Sequence, residues 1–468
     1  MMHDRYDLVV IGAGGGGYPA ALRIARTGQS VLMVDEKGNL GGNCLYEGCV
    51  PSKAVRHATQ TWRELNRAAI FGLQAEPLAA RWDQIRGYKD GVQSRRYAQH
   101  MEEIQSTEHL TMVRGRARFL DANRLVVEDW DRSETVTVKA KTILIATGSQ
   151  AIPLTFEGAE HTWDHHDLFQ WQTSQTVLPK ELIVLGGGYI GVEVASMLWD
   201  IGVRVTVIEM ESTILGHMDP DLRAAVSDHL RPRIHLVTGV KIEKLEVKDQ
   251  GVLLTGHRLD DGHALVWTAD QVLAAVGRGP AIAEDLGLDA AGVAYDDARG
   301  IGVDGQMHTS VPHIYAAGDV TGLSMLFHAA VRMSEIAADA ILLGDEAKEV
   351  FHPEEMATIV FSRPEAFSVG LTRDQANERG IQVHEYVREM GGEVWAQIAE
   401  ELDGFVKLVV HRQTGVILGM HGVGVDAAQL SNVAHMVVRL GLKPAELAHM
   451  TFAHPTQFEV LDRLARSV

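Results

Sequence analysis

A pattern of apolar strand, glycine-rich turn, helix, second strand and acid occurs twice in this 468-residue chain. The first copy reads YDLVVIGAGGGGYPAALRIARTGQSVLMVDE and the second reads ELIVLGGGYIGVEVASMLWDIGVRVTVIE. In each copy the final acid, Asp35 or Glu209, lies 23 positions after the first glycine, Gly12 or Gly186. Two unrelated glycine turns would not share this spacing. The sequence therefore predicts two βαβ units that each bind a dinucleotide.

The three glycines of each copy have separate physical roles. The first permits a tight turn, the second lets the backbone approach a pyrophosphate, and the third allows the helix to pack closely on the strand. Amides at the helix N-terminus then hold the pyrophosphate, and the acid binds a ribose hydroxyl. An acid in the second copy favours NAD over NADP, because a carboxylate repels a 2′-phosphate. These glycines are Gly12, Gly14 and Gly17 in the first copy and Gly186, Gly188 and Gly191 in the second.

The only two cysteines, Cys44 and Cys49, share one short stretch, LGGNCLYEGCVPSK, at residues 40–53. They are compatible with chance burial, with a structural metal site, with a permanent staple or with a redox pair. A zinc site would need further ligands, and no other cysteine can supply them. A staple that closes so small a loop would add little to a chain with an ample core.

Geometry favours the redox pair only modestly. Residues five apart in a regular helix have Cα atoms about 8–9 Å apart, whereas a disulfide needs less than about 7 Å. The segment must therefore be distorted if it is bridged, and Gly48 permits this. A helix that starts near Val50 and Pro51 would place its N-terminus beside a thiol and favour the thiolate.

Composition narrows the class of protein. A mass of 51.2 kDa predicts two to four domains. The formal net charge of −19 argues against nucleic acid as a partner. The most apolar run, residues 182–203, is interrupted by Glu193 and Asp200, so no membrane association is expected. With no cleavable N-terminal segment in the sequence, the expected location is the cytoplasm, where disulfides are usually catalytic.

Two dinucleotide units and one dithiol loop suggest an electron path through nicotinamide, flavin and disulfide. The chain resembles the class I pyridine nucleotide–disulfide oxidoreductases, most closely their dihydrolipoamide dehydrogenase branch. Residues 41–53 match the family's active-site signature, and residues 142–148 match the segment between its FAD and NAD domains. Residues 314–320, with 325–328 behind them, match its second FAD motif. His-Pro-Thr-x-x-Glu at residues 454–459 matches its acid–base motif.

The resemblance implies an α/β fold with two Rossmann-type domains, one for FAD and one for NAD, and a C-terminal α+β dimerisation domain. The expected boundaries are an FAD domain at 1–150, an NAD domain at 151–279, a central domain at 280–348 that completes the FAD site, and a dimer-interface domain at 349–468. A homodimer follows, because in this family the acid–base histidine comes from the second subunit.

The resemblance also implies roles for individual residues. The substrate attacks Cys44, Cys49 passes electrons to FAD, and His454 acts as acid–base catalyst with Glu459 behind it. Lys53 and Glu193 match an ion pair near the flavin's reactive nitrogen, and no metal is expected. The residues implied to bind FAD are Gly12, Gly14, Gly15, Gly17, Asp35, Gly42, Lys53, Gly115, Ala146, Thr147, Gly148, Asp319, Met325, Leu326, Phe327 and His328. Those implied to bind NAD are Gly186, Gly188, Tyr189, Ile190, Gly191, Glu209, Val240 and Gly277.

The implied reaction is oxidation of protein-bound dihydrolipoamide to lipoamide with reduction of NAD⁺, with a lipoyl-bearing protein domain as partner. Mercuric reductases and high-molecular-weight thioredoxin reductases carry a second cysteine pair that this chain lacks. The inter-cysteine residues Leu45, Tyr46 and Glu47 depart from the family pattern. The alternative is therefore a specialised reductase or oxidase of another lipoate-bearing or disulfide substrate, outside the 2-oxoacid dehydrogenase complexes. A non-catalytic FAD subunit would be expected to have lost the cysteines or the histidine, and a flavin oxidase or quinone reductase would not require the dithiol.

Overall fold

The computed structural model describes residues 2–74 and 79–468, and its first sheet is built around the strand that precedes the first glycine turn. That strand is parallel to the strands on both sides of it, with Leu8 opposite Val31 in one and Thr142 in the other. Its apolar run is continuous because both faces are covered, as parallel sheets require. The elements of this region are β1 (Arg5–Ile11), α1 (Tyr18–Ala25), β2 (Val31–Asp35), α2 (Gly42–Tyr46), α3 (Cys49–Asn66), α4 (Trp82–Ser106), β3 (Leu110–Asp121), β4 (Arg124–Asp129), β5 (Glu134–Ile145) and β6 (Ser149–Ala151).

The second region repeats the same unit. Its parallel sheet has the order β13-β7-β8-β9, and a three-stranded antiparallel sheet, β10-β11-β12, follows it. The helix after the glycine turn, α6, has almost every residue buried, which explains its apolar sequence. The elements are α5 (His165–Phe169), β7 (Glu181–Leu185), α6 (Tyr189–Asp200), β8 (Arg204–Ile208), α7 (Pro220–Leu230), β9 (His235–Val237), β10 (Val240–Lys248), β11 (Gly251–Arg258), β12 (Ala264–Ala269) and β13 (Gln271–Ala274).

The third region returns to the first sheet. Its strand β17 is parallel to β5, with Ile314 opposite Ile143, so the first sheet has six strands. Strand β14 pairs antiparallel with β6 and joins the two regions at a second point. The elements are β14 (Arg278–Pro280), α8 (Leu288–Ala291), β15 (Tyr295–Asp296), β16 (Gly300–Ile301), β17 (Ile314–Ala316) and α9 (Phe327–Leu343).

The C-terminal region has an antiparallel five-stranded sheet in the order β18-β19-β22-β21-β20. Its core includes the fully buried side chains of Phe367, Leu408, Leu430 and Leu461, which come from two strands and two helices. The elements are β18 (Thr358–Val360), β19 (Glu365–Gly370), α10 (Arg373–Glu378), β20 (Val383–Glu389), α11 (Val394–Ala399), β21 (Phe405–His411), β22 (Ile417–Gly424), α12 (Ala427–Arg439), α13 (Pro444–Ala448) and α14 (Glu459–Arg466).

The predicted fold class is confirmed, because two sheets with parallel βαβ units and glycine turns precede an α+β region. The first sheet is mixed, since β4 is antiparallel to β3 and β5. The residue boundaries proposed for the four domains stay predictions. Within residues 2–74 and 79–468, no helix is both long and apolar enough to cross a membrane. The cytoplasmic location stays a prediction as well.

Candidate active site

The first glycine turn is packed so tightly that side chains are excluded from it. Gly12 has φ +101°, and a Cβ there would lie 2.2 Å from the carbonyl oxygen of Ala146. A Cβ at Gly17 would lie 2.0 Å from the Gly12 carbonyl oxygen. The Asp35 carboxylate accepts a hydrogen bond of 2.9 Å from the amide of Ala13. Burial raises the pKa of Asp35. The turn is therefore held by the glycine contacts at the start of the βαβ unit and by the Asp35 carboxylate at its end.

The second glycine turn has the same construction. A Cβ at Gly186 would lie 2.4 Å from the carbonyl oxygen of Ala275, and Gly191 packs against the Gly186 carbonyl. The Glu209 carboxylate accepts a hydrogen bond of 2.6 Å from the amide of Gly187. A Cβ at Gly188 would have no other heavy atom within 4 Å, so space is open above the middle glycine. This is the place where a pyrophosphate approaches the backbone in a dinucleotide site.

Three segments that are distant in sequence line the first turn. Gly42 has φ +51°, and a Cβ built on it would lie 2.8 Å from the Cα of Gly14. The ideal Cβ position of Gly15 lies 3.0 Å from the ring of Phe327, the first residue of α9. A Cβ built on Gly16 would lie 2.4 Å from the carbonyl oxygen of Ala317. The sequence analysis gave Gly16 no role, although a fourth glycine in the run was a visible signal.

Asp319 lies at the same end of the sheet as the first turn. Ser149 donates a hydrogen bond of 2.6 Å from its hydroxyl to the Asp319 carboxylate, and burial raises the pKa of that carboxyl. Arg278 in turn donates to the Ser149 hydroxyl at 3.0 Å and to its carbonyl at 2.7 Å. The sequence analysis missed Ser149 and Arg278, because an isolated serine or arginine carries no periodic signal. Thr147 donates to the carbonyl of Ala281 at 2.7 Å.

Four other predicted cofactor residues have structural roles that are visible without a ligand. A Cβ at Gly115 would lie 1.7 Å from the carbonyl oxygen of Glu128, so the neighbouring strand β4 requires glycine there. Val240 is buried and donates its amide to the carbonyl of Glu209 at 3.1 Å. Gly277 has φ +119°, a conformation that favours glycine. Gly148, just before β6, has φ +79° and its carbonyl accepts a hydrogen bond of 2.9 Å from the amide of Ala281. The other predicted residues lie at or just before the starts of α6 and α9, at Tyr189, Ile190, Met325, Leu326 and His328.

The dithiol segment has the predicted distortion. Cys44 lies in α2, and the helical conformation is interrupted at Glu47 and Gly48. Cys49 is the first residue of α3, one position before the predicted start. Both cysteines are free thiols. A hydrogen bond from the Cys44 thiol lowers the pKa of Cys49, and the nearby charge of Lys53 lowers it further. The same hydrogen bond and burial raise the pKa of Cys44, so Cys49 is the sulfur that favours the thiolate.

Lys53 and Glu193 join the two dinucleotide units. The Lys53 ammonium lies 2.7 Å from a carboxylate oxygen of Glu193, which is 8% exposed on α6. The second oxygen of Glu193 accepts a hydrogen bond of 3.0 Å from the amide of Phe361. The Lys53 ammonium also lies 4.5 Å from the centre of the Phe361 ring. A buried carboxylate needs such partners, and these place the Lys53 charge one helical turn after Cys49.

His454 and Glu459 form a dyad on the C-terminal turn. The His454 Nδ1 lies 2.9 Å and 3.1 Å from the two carboxylate oxygens of Glu459. The amide of Thr456 donates to the same carboxylate at 3.2 Å, and the His454 bond lowers the pKa of Glu459. The His454 side chain is 65% exposed. In the part of the chain that the structure describes, His454 makes no hydrogen bond to either cysteine.

A charged network that the sequence analysis missed lies beside the dithiol segment. Glu47, between the cysteines, is 6% exposed and its Oε2 lies 3.0 Å from the Nε2 of His166. The Nδ1 of His166 lies 2.9 Å from both carboxylate oxygens of Asp164. These two carboxylates raise the pKa of His166 to about 10. Burial alone would raise the pKa of Glu47, but the hydrogen bond from His166 holds that pKa below its usual value. Burial lowers the pKa of the adjacent His165 to about 4.

Family models match most of the chain. A model described as pyridine nucleotide-disulphide oxidoreductase matches residues 6–334. A second model, described as the dimerisation domain of pyridine nucleotide-disulphide oxidoreductases, matches residues 356–465. Together they cover both glycine turns, the dithiol segment and the C-terminal dyad.

Individual relatives and a solved structure agree with these matches. The chain is 33% identical to dihydrolipoyl dehydrogenase of Geobacillus stearothermophilus over 456 residues, which cover 97% of this chain and 94% of that protein. It is 32% identical to dihydrolipoyl dehydrogenase of Haloferax volcanii, with 98% and 96% covered. The HOCl-induced flavoprotein disulfide reductase RclA from Escherichia coli superposes with a TM-score of 0.84 and 26% identity, with 99% of this chain and 100% of that one covered.

Proposed function

Because this chain belongs to the pyridine nucleotide-disulphide oxidoreductase family, we propose that it oxidises protein-bound dihydrolipoamide to lipoamide and reduces NAD⁺. Members of the family are flavoproteins that use FAD and NAD(H). The observation that carries the proposal is the dithiol in which the Cys49 thiol, at the start of α3, has a lowered pKa and lies beside the Lys53–Glu193 ion pair. That pair links the dithiol segment to the second dinucleotide unit, where NAD is expected.

The sulfur chemistry starts from the oxidised, disulfide form of the cysteine pair. His454 takes a proton from one thiol of the substrate, and the thiolate attacks the Sγ of Cys44. The Cys44–Cys49 bond breaks and Cys49 leaves as a thiolate, which the Lys53 charge stabilises. The second substrate thiol attacks the first substrate sulfur, which releases Cys44, and its proton passes to the released Cys44 sulfur. The substrate becomes a disulfide, and its two electrons reside in the enzyme dithiol.

The residues around the first turn fit FAD. The glycines of the first turn and Gly42 carry no side chains, so the backbone is accessible where a pyrophosphate would lie. The carboxylates of Asp35 and Asp319 would accept hydrogen bonds from hydroxyl groups of the ligand, and the Lys53 cation would lie on its dithiol side. When bound there, FAD supplies a carrier that passes the electron pair of the dithiol to NAD⁺. Gly188 and Glu209 would hold the NAD pyrophosphate and ribose.

The proposed active site is shared between two copies of the chain. The match to the family's dimerisation domain supports a homodimer. The Nδ1 of His454 is engaged by Glu459, so the proton-carrying position is the Nε2 on the exposed side of the ring. We place that nitrogen against Cys44 of the other subunit. The lipoyl-bearing domain would enter between them, which matches a histidine that is exposed in the single chain.

Turnover with competing substrates tests the proposal. We expect the highest kcat/KM with a dihydrolipoyl protein domain and NAD⁺, lower values with free dihydrolipoamide, and little reduction of glutathione disulfide or quinones. NADP⁺ should be a poor replacement for NAD⁺. Faster turnover with glutathione disulfide, or with a quinone in the absence of any dithiol, would contradict the proposal.

Glu209 provides a separate test of the nucleotide preference. Its carboxylate holds the amide of Gly187 and should repel a 2′-phosphate. Glu209→Arg should raise the ratio of kcat/KM for NADP⁺ over NAD⁺ by about tenfold or more, since a cation attracts that phosphate. Glu211→Ala removes an exposed acid two positions later and is the matched control. An equal change of the ratio in both variants would mean that net charge, not the turn, sets the preference.

A second candidate is a reductase that works in the opposite direction on another lipoate-bearing or disulfide substrate. Structural similarity to RclA, a disulfide reductase, supports it. So does the unusual inter-cysteine loop, in which Tyr46 packs against Trp171 with ring centroids 6.1 Å apart. NADH-driven reduction of a disulfide substrate at a higher kcat/KM than dihydrolipoyl oxidation would favour this candidate.

A further inference from the structure

The inter-cysteine loop carries a buried carboxylate that the proposed sulfur chemistry does not use. Glu47 is 6% exposed and directs its Oε2 at the Nε2 of His166, 3.0 Å away. His165, also buried, stacks on His166 with ring centroids 4.1 Å apart. One ligand atom from each of the three side chains lies within 4.8 Å of the others. Two imidazoles and a carboxylate are the donor set of a three-ligand zinc site.

We propose that Glu47, His165 and His166 form a binding site for one divalent cation of the zinc class. Zinc–ligand bonds of about 2.0–2.1 Å put tetrahedral ligand atoms about 3.3–3.4 Å apart. The 3.0 Å between Glu47 and His166 is close to that edge, so a small outward movement of the carboxylate makes room for the ion. The fourth position is left for water. The sequence analysis expected no metal because it considered only ligands around the cysteines.

The surroundings of His166 provide an independent reason for this assignment. A histidine that binds a metal usually donates its other ring N–H to a carboxylate, which fixes the tautomer and the ring orientation. Asp164 already holds the Nδ1 of His166 in this way, at 2.9 Å from both oxygens. Asp164 is itself fixed, because it caps α5 through the amide of His166. The Nε2 is therefore aimed at Glu47 before any ion binds.

Two existing interactions must give way when the cation binds. The ion replaces the proton shared between His166 and Glu47. Arg278 lies 3.1 Å from the Nε2 of His165 through its Nη1, and this contact must be released. Arg278 keeps two other bonds, to the hydroxyl and the carbonyl of Ser149, so its guanidinium stays anchored. The ligand exchange is therefore confined to side-chain ends.

A cation at this site would act on the dithiol loop without touching sulfur. Glu47 lies directly between the cysteines, three residues after Cys44 and two before Cys49. The loop is already held by Gln93, whose side-chain amide donates to the carbonyls of Leu45 and Tyr46 at 3.0 Å and 2.9 Å. An ion bound through Glu47 would fix a third residue of the loop. This inference stands whether lipoamide or another disulfide is the substrate.

Zinc titration of the FAD-loaded protein tests the proposal, with Zn²⁺ itself as the probe. The measurements use a Cys44→Ser/Cys49→Ser variant, so that thiolates cannot bind the ion. We expect one Zn²⁺ per chain by calorimetry, and anomalous scattering between Glu47 and His166 in crystals. Affinity should fall at least about 100-fold in Glu47→Gln or His166→Gln on this background.

Two further variants separate ligands from neighbours. Asp164→Asn should lower the affinity about 10-fold, since it weakens only the outer hydrogen bond. His161→Gln, which removes an exposed histidine nearby in sequence, should change nothing. The proposal is overturned if the variant without cysteines binds no Zn²⁺, or if binding survives when Glu47 and His166 are both replaced. The parent cysteine-free variant settles the first point even if a ligand variant fails to fold.

Discussion

Cys44 and Cys49 lie where two dinucleotide units meet, and the charges that tune them come from the same chain, whereas His454 lies on an exposed turn of the C-terminal region. In the Lys53–Glu193 pair beside the sulfurs, Glu193 is buried and Lys53 is half-buried, and each partner has a further contact with Phe361. The His454 ring has one carboxylate partner and is otherwise open. The sulfur side is thus assembled within one copy, and we propose that the histidine side is completed by a second copy.

The Lys53–Glu193 pair and the His454–Glu459 pair should also differ in how much they contribute to stability. The Lys53–Glu193 ion pair joins α3 to α6, and loss of Lys53 would leave the buried carboxylate of Glu193 without its cation. An exposed histidine–carboxylate pair adds little to stability. Its fixed geometry is therefore better explained by the proton transfer that we propose for His454. Mutations on the two sides should consequently differ in which partial reaction they stop.

The largest effect is expected for the sulfurs. Cys44→Ser or Cys49→Ser should reduce dithiol turnover to background, because no enzyme disulfide can form. The two variants should differ in absorbance of the FAD-loaded protein. Cys44→Ser leaves the Cys49 thiolate, and a long-wavelength band between thiolate and flavin should appear without reductant. Cys49→Ser should lack that band even after two-electron reduction.

Two absorbance results would contradict the roles assigned to Cys44 and Cys49. If Cys44→Ser shows no band at a pH where Cys49 is ionised, the roles of the two sulfurs are assigned wrongly. A band in Cys49→Ser would reverse the assignment. Ser52→Ala is a suitable control, since Ser52 only bonds the Cys49 carbonyl at 3.2 Å and should leave the spectrum unchanged.

The next largest effect is expected for the histidine. His454→Gln should lower dithiol turnover about 10²–10⁴-fold, the usual contribution of a positioned acid–base group. Reduction of the bound flavin by NADH should persist, because that reaction does not need the imidazole. Stopped-flow measurement of the two half-reactions separates them. An equal loss in both halves would indicate a folding defect on the histidine side.

A mixed dimer tests the shared site directly. One chain carries Cys44→Ser and the other carries His454→Gln. If sites are shared, one site receives both lesions and the other is intact, so about half of wild-type activity survives. If each chain used its own histidine, both sites would be damaged. Near-zero activity in a mixed dimer of verified composition would refute the comparison drawn above.

The sequence predicted the sulfur side better than its surroundings. Equal spacing of Asp35 and Glu209 from their glycines predicted two turns, and in both the acid accepts from the amide after the first glycine. The geometry of a disulfide predicted the helix break near Gly48. Short-range rules such as these act within one βαβ unit or one helix, where sequence distance and spatial distance agree.

Long-range contacts were beyond such rules. Glu47 and His166 are 119 positions apart and belong to different regions. Nothing in the sequence DHHDLF marks its histidines as partners of the inter-cysteine loop, since histidine is common in this chain. Gly115 shows the same limit: its FAD-binding role stays a prediction, whereas its close packing against the carbonyl of Glu128 in the neighbouring strand is visible only in the structure. Packing between regions decides these cases, and packing is not periodic.

A moderate effect is expected for Lys53, and its sign tests the electrostatics of the sulfur side. The Lys53 charge lowers the pKa of Cys49, so Lys53→Met should raise it by about one unit or more. At a fixed pH below that value, less thiolate is present and the first-order reaction with an alkylating reagent is slower. Glu193 acts in the opposite sense on Cys49, so Glu193→Gln should lower the pKa. Shifts of the same sign in both variants would show that misplacement of α3, not charge, moves the pKa.

The smallest effect is expected for Glu459, which orients the imidazole and does not carry the proton. Glu459→Gln keeps an oxygen that can accept from the His454 Nδ1, so turnover should fall only a few-fold, whereas Glu459→Ala should cost about tenfold. The hydrogen bond from His454 lowers the pKa of Glu459. The benefit of the carboxylate is therefore present above its ordinary pKa and is lost as pH falls through the lowered value.

Half-reaction kinetics against pH measure this effect. Asp462→Asn, on the same helix and paired with Arg466 at 2.9 Å, is the matched control and should leave both half-reactions unchanged. If Glu459→Ala costs as much as His454→Gln, the carboxylate does more than orient the ring, and the proton path must be redrawn to include it. If Glu459→Ala costs nothing, the exposed histidine is held by the second subunit instead. The orientation of the His454 ring, as well as its contact with the dithiol, would then depend on the dimer.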